Sequence, residues 1–157
     1  MSTGEEFASQ CSRIVRNADN IIVLLDDPSS ALDVLVVDNE PKVRASSRRL
    51  LQCLGYDRVQ EATDGVEALG LLQKQRVRVV ITDLQMPRMN GLRMVRKLRA
   101  MGHRLPVIMV SSVGEPLMAA AALRAGADAY LTKPLDVERL SAALEQVLGN
   151  PSEKAVA

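Results

Sequence analysis

Short apolar runs in this chain end on residues that can do chemistry. Val34-Leu35-Val36-Val37 runs into Asp38-Asn39-Glu40, and the run from Val77 to Ile81 leads through Thr82 to Asp83. Pro106 to Val110 runs into Ser111-Ser112, and Ala129 to Thr132 into Lys133-Pro134. Taken singly, each has an ordinary reading, since an acidic residue after a strand is commonly a solvated loop residue or a helix N-cap. Carboxylates, a hydroxyl and a lysine gathered on one rim are a different matter. Carboxylates and a carbonyl can hold Mg²⁺, and a lysine with a hydroxyl beside them can hold phosphoryl oxygens. Such a set suits phosphoryl transfer, where catalysis is mostly positioning and charge neutralisation around a loose transition state.

For the groups to converge, the runs must be neighbouring strands of an open parallel sheet, in which functional groups collect at the carboxyl ends. The runs are continuous and rich in β-branched residues, as strands buried on both faces are. Val59 to Ala62 is a further candidate strand. Helical patterns lie between the strands, over about Lys42 to Leu54, Gly65 to Lys74, Gly91 to Met101, Glu115 to Ala125 and Val137 to Leu148. Gly55, Gly102, Gly126 and Gly149 follow the first, third, fourth and fifth of these as C-cap candidates. Strands alternating with helices of this length imply right-handed crossovers and a parallel sheet covered on both faces. The expected architecture is an α/β domain over 34–149 with a five-stranded parallel sheet and five helices.

The flanks read differently. In 1–33, Thr3-Gly4-Glu5-Glu6 fits a capping box, and Phe7, Cys11, Ile14, Ala18, Ile21 and Leu25 recur at heptad spacing. Asp26-Asp27-Pro28-Ser29-Ser30 supplies breakers. An amphipathic extension helix and a linker are expected there, and the stripe favours pairing with its twin in a homodimer over docking on its own domain or on a partner. Residues 150–157 read as a frayed tail.

Composition narrows the function classes. Among 157 residues, 47% are hydrophobic and 25% charged, a globular balance. A net charge of +1 gives no long-range field for nucleic acid or an anionic membrane. Aromatic residues at 2% exclude stacking platforms for single strands and require an aliphatic core. Met86, Met94, Met101, Met109 and Met118 read as gap-fillers in that core. Cys11 and Cys53 read as buried thiols in a reducing compartment. The acidic start and short apolar runs fit neither a signal peptide nor a membrane span, so a cytoplasmic protein is expected. His103 reads as a loop residue. Lys42, Arg44, Arg48 and Arg49, with Arg93, Arg96, Lys97 and Arg99, read as solvated helix faces.

Three blocks carry a family resemblance: Val34 to Glu40, Asp83-Leu84-Gln85-Met86-Pro87-Arg88-Met89-Asn90-Gly91, and Tyr130-Leu131-Thr132-Lys133-Pro134. Together they resemble the signature blocks of bacterial response regulator receiver domains, of the single-domain chemotaxis-regulator type, and the likeness runs from Asp33 to Leu148. It implies a flavodoxin-like doubly wound fold. It implies Asp83 as acceptor of a phosphoryl group from a histidine kinase or phosphotransfer protein, with Mg²⁺ on Asp38, Asp83 and the Gln85 backbone carbonyl. Ser111 would donate its hydroxyl to the phosphoryl group, Lys133 would pair with it, and Tyr130 would reorient when Ser111 moves. The Lys133–Pro134 bond would be cis, a form costing an X-Pro bond only ~0.5–1 kcal/mol. The kinase side would dock on the first helix, and the fourth helix, fifth strand and fifth helix would form the face for a downstream protein target. With no output domain read after Gly149, output would run through protein contacts.

One position departs from the family. Two adjacent acids normally follow the first strand, and here the second is Asn39. An amide oxygen can still ligate Mg²⁺, but a unit charge is gone. At ~1–4 kcal/mol per charge pair at 4 Å, metal binding would weaken by roughly ten- to a thousandfold. A pseudo-receiver that signals without phosphate is the alternative reading. A haloacid-dehalogenase-type phosphatase, the remote one, would need a general acid where Gln85 stands and a cap for which the chain has no room. A flavin module would meet repulsion of its phosphate from Asp38-Asn39-Glu40.

Overall fold

The computed structural model describes residues 14–16, 22–24, 32–112 and 114–149, in two compact units, Met1–Ala31 and Leu32–Ala157. In the first, Ile14–Arg16 and Ile22–Leu24 are antiparallel strands, with Ile14 opposite Leu24. The extension helix expected over 1–33 is therefore corrected at these residues. β-Branched Ile14-Val15 and Ile22-Val23 favour the pleated form, and Asn17-Ala18-Asp19-Asn20 between them is turn-forming sequence that the heptad count ignored. Phe7, Cys11, Ala18, Ile21 and Leu25, the linker and the C-terminal tail lie outside the described residues.

The second unit alternates strand and helix throughout. In chain order it holds β1 (Leu32–Val37), α1 (Pro41–Cys53), β2 (Val59–Ala62), α2 (Gly65–Lys74), β3 (Val77–Asp83), α3 (Gly91–Ala100), β4 (Val107–Ser111), α4 (Pro116–Ala125), β5 (Ala129–Thr132) and α5 (Val137–Leu148). All strand pairs are parallel, and the spatial order is β2-β1-β3-β4-β5. Side-chain alternation along each strand builds two cores. Leu35, Val37, Val80 and Met109 face a layer made by Leu72 of α2, Met94, Val95 and Leu98 of α3 and Ala122 of α4. Val34, Val36, Ile81, Ile108 and Val110 face Leu51 of α1 and Leu140 and Leu144 of α5. Burial on both sides is why the strands read as unbroken apolar runs.

Two strands run longer than their apolar cores. β1 starts at Leu32, with the Asp33 carboxylate accepting from the Arg58 N–H and pairing with Arg78. β3 runs through Thr82 to Asp83, so the acid is the last residue of a strand. The C-cap glycines all adopt positive φ, from 78° at Gly149 to 118° at Gly126, and Gly126 makes a left-handed helix stop. Gly126 also makes room for Arg99, since a Cβ there would stand 2.7 Å from the Arg99 Cγ. Arg99 is not on a solvated face: its guanidinium donates to the carbonyls of His103, Leu105 and Gly126 and to Asp128. It ties the end of α3 to the turn before β5. Met101 and Cys53, expected inside, are exposed.

Glycine substitutions separate close approach from helix propensity. A Cβ at Gly91 would collide with the Asp83 carbonyl oxygen, whereas Gly70, inside α2, has open space around it. Urea denaturation should show Gly91→Ala less stable by about 1–3 kcal/mol and Gly70→Ala more stable by about 0.5–1 kcal/mol.

Candidate functional site

Strand order places a crevice between β1 and β3. The chain leaves β1 outward to β2 and returns to β3 on the other side, so the crossovers from these two strands diverge to opposite faces of the sheet. Ligands in open α/β sheets bind at such points, outside the carboxyl ends of the strands. Register decides which residues meet there. Val37 lies opposite Thr82, which sets Asp38 level with Asp83. Asp83 lies opposite Val110, and Ser111 opposite Thr132. Asp38 and Asp83 thus stand level, while Ser111 and Lys133 lie one and two residues further along at the carboxyl ends of β4 and β5.

Lysine and carboxylates meet directly across these ends. The Lys133 ammonium stands 2.9 Å from Asp38 Oδ2 and 3.3 Å from Asp83 Oδ1. Asp38 Oδ1 accepts from the Glu40 N–H at 2.8 Å, and Asp83 Oδ1 from the Leu84 N–H at 2.8 Å. Asp83 Oδ2 accepts nothing from the described residues. Both acids are buried, at 3% and 7% exposure, and Ser111 is at 1%. Burial pushes the Asp83 carboxyl above the usual carboxylate range, and the Asp38 charge pushes it the same way. Lys133 and the Leu84 N–H pull it back without cancelling the rise. For Lys133, burial alone would lower the ammonium, but the two carboxylates outweigh it and hold it above the usual lysine range. One cation therefore serves two buried anions, and the rim carries an excess of negative charge. That excess, the Asp83 Oδ2 and the Gln85 carbonyl, to which no described group donates, form a donor set that fits a hard divalent cation such as Mg²⁺. The set is one acid short. Asn39 stands exposed beside Asp38, and among the described residues no three His, Cys, Asp or Glu side chains are grouped as metal ligands.

The loops that carry these groups are held from behind. Arg44 on α1 donates to the Asp38 carbonyl at 2.6 Å and to Glu61 of β2 at 3.1 Å, and Arg48 donates to the other Glu61 oxygen at 2.7 Å. After Asp83, Gly91 lets the chain fold back so that its N–H reaches the Leu84 carbonyl at 2.8 Å, and the Asn90 side chain caps α3 by accepting from the Arg93 N–H. Arg88 in that loop has φ 63° and pairs with Asp64, the N-cap of α2. Burial would raise the Asp64 carboxyl, but the Glu67 N–H and Arg88 together hold it below the usual range.

Of the residues singled out in the sequence, Lys133 is in contact with both Asp38 and Asp83, and Ser111 stands at the end of β4, one residue beyond the level of Asp83. Asn39 and the Gln85 side chain are exposed, and Tyr130 is half-buried against Met109 and the α2–α4 layer. The Lys133–Pro134 peptide is cis. The supporting ion pairs of Arg44, Arg48 and Arg88 were not expected. The spacing of four between Arg44 and Arg48 marks one helix face, but nothing in it points to Glu61. Asp64-x-x-Glu67 does carry an N-cap signature.

Known proteins resemble the chain over this whole unit. A family model described as the response regulator receiver domain matches residues 34–145. A chemotaxis protein CheY homolog of Campylobacter jejuni is 42% identical over 129 residues, which span 80% of this chain and 99% of that protein. Response regulator MprA of a Mycobacterium species is 42% identical over 119 residues, 76% of this chain and 51% of the longer protein. Among solved structures, Vibrio cholerae chemotaxis protein CheY4 matches with a TM-score of 0.69 at 34% identity, over 75% of this chain and 99% of that one. A receiver domain protein from Clostridium thermocellum matches with a TM-score of 0.69 at 27% identity, over 80% and 99%.

The raised Asp83 carboxyl has a stability signature. Between the ordinary carboxylate range and its folded-state value, the unfolded chain has lost the proton and the folded chain has kept it. Stability therefore falls as pH rises through that window. Without divalent ions, Asp83→Asn should be more stable than the wild type at neutral pH. The gap should close below the ordinary carboxylate range. Chemical denaturation across a pH series measures it, and a gap independent of pH would contradict the assignment.

Proposed function

Because this chain belongs to the response regulator receiver domain family, we propose that it is a phosphorylation-controlled switch with Asp83 as its phosphoryl acceptor. The observation that carries this reading is the single ammonium of Lys133 between the buried Asp38 and Asp83 at the β1–β3 crevice. The Asp83 carboxylate attacks phosphorus of a phosphohistidine, the N–P bond breaks, the imidazole leaves and an acyl phosphate forms. The donor is a histidine kinase or phosphotransfer protein docking on α1. Lys133 pairs with the phosphoryl oxygens, and the Ser111 hydroxyl donates to one of them. Tyr130 then reorients, changing the α4–β5–α5 face that a downstream protein target reads. Asp38, Asp83, the Gln85 carbonyl and, more weakly, Asn39 would hold Mg²⁺, which neutralises the charge gathered on the acids and the incoming group. Nucleic acid and membrane are not proposed as partners: the net charge is +1, and no helix among the described residues is long and apolar enough to cross a bilayer.

Asn39 favours a second reading, a domain that phosphorylates poorly and acts mainly through constitutive contacts. The two differ in what metal and phosphate do to the protein. Incubation with acetyl phosphate and Mg²⁺ should add one phosphoryl mass, and Asp83→Asn should abolish it; a mass shift that persists in the variant overturns Asp83. Asn39→Asp should tighten Mg²⁺ by roughly tenfold or more, read by titration. Equal affinities would show that Asn39 does not limit the site.

A further inference from the structure

Beneath α1, beside the acid pair, lies a cavity of about 400 Å³. Its floor is Val36, Ile81 and Val110, the last inward-facing apolar residues of three adjacent strands. Val43 and Leu50 of α1 form one wall and Leu135, after the cis peptide, the other. This volume falls at the lower end of small-molecule sites, which run to about 300–1,000 Å³ with mostly apolar walls and a few polar groups. One of those polar groups is Ser47. It interrupts the inward stripe of α1 (Val43, Ser47, Leu50, Leu51), is 4% exposed and lines the cavity. Its hydroxyl has no hydrogen-bond partner among the described residues. A buried hydroxyl without a partner is costly, so its place against an apolar void points to a ligand atom that completes it. The neighbouring hydroxyl of Thr82, by contrast, is used on the Asp83 carbonyl.

We propose that this cavity binds an uncharged, mainly apolar small molecule carrying one hydroxyl or carbonyl group, seated on Val36, Ile81 and Val110 and hydrogen-bonded to Ser47. The apolar floor and walls exclude a charged occupant, which would lose its hydration against Val36, Val43, Ile81, Val110 and Leu135. Size excludes a helix or strand of a partner, which needs an open groove. A ligand here would touch Asp38, Asp83 and Lys133 from below.

Naphthalene-1-methanol, uncharged with one hydroxyl on an apolar ring, serves as the probe. Titrated into the isotope-labelled full chain, it should give saturable amide shifts at Val36, Ser47, Ile81 and Leu135, with a dissociation constant below about 1 mM. Ser47→Ala should weaken binding by roughly two- to tenfold, the effect of one hydrogen bond. Val43→Trp, which fills the void, should abolish it. Overturning results are no saturable shift at these residues, shifts centred instead on the second cleft, lined by Leu54, Tyr56, Arg78 and Leu144, or unchanged affinity in Ser47→Ala. If Val43→Trp does not fold, the Ser47→Ala comparison alone decides.

Discussion

Two carboxylates at the ends of adjacent parallel strands repel one another, and here both are taken out of water. A single ammonium reaching across from β5 is what makes the arrangement tolerable, at 2.9 Å from one acid and 3.3 Å from the other. Breaking a buried pair by removing one partner costs several kcal/mol, about 3–5, because it strands a buried charge. The strand order follows from the same need. Only with β1 and β3 adjacent do Asp38 and Asp83 stand level, and only with β4 and β5 beyond them does Lys133 arrive from the far side.

Holding charges this close requires that the loops bearing them do not drift, and arginines supply the restraint. Arg44 reaches the backbone of Asp38 while anchoring on Glu61. Arg88 links the loop after Asp83 to the start of α2 through Asp64. Arg99 joins the end of α3 to the turn before β5, the strand that delivers Lys133. A planar guanidinium with fixed donors suits this work better than an ammonium, because it can satisfy carbonyls and carboxylates at once. The one lysine of the site sits where a compact charge must be shared between two acids.

How much of this was readable from the residues depended on range. Strands such as Val34–Val37 and Val107–Val110 were visible because burial on both faces demands continuous apolar runs. Gly55, Gly102 and Gly126 marked helix ends because a left-handed residue is needed there whatever surrounds it. Asp38, Asp83 and Lys133 were visible for the same local reason: each directly follows or ends a strand. Arg44, Arg88 and Arg99 were not, since a basic residue on a helix or loop looks the same whether it meets water or a carbonyl from 27 residues away. Cys53 and Met101 misled because their residue types are usually buried, yet Cys53 ends α1 and Met101 caps α3, both exposed to solvent. At Ile14 and Ile22 the spacing was genuinely ambiguous. A 4-3 recurrence and β-branched pairs flanking a polar turn coexist in the same residues, and pairing won over the helical period.

Asn39 belongs to the same electrostatic account. With a third acid beside Asp38, the rim would carry another uncompensated charge against the one ammonium, and Asp83 would be pushed still further from its ordinary range. Amide in place of carboxylate relieves that repulsion in the metal-free protein and gives up attraction for a divalent cation by the same Coulomb interaction. Stability without metal and affinity for metal are therefore opposed at this position, and the chain stands on the side of stability. A domain so placed needs less help to hold its resting form. Any cation or phosphoryl group that binds at the rim acts on the excess of negative charge that Lys133 alone leaves there.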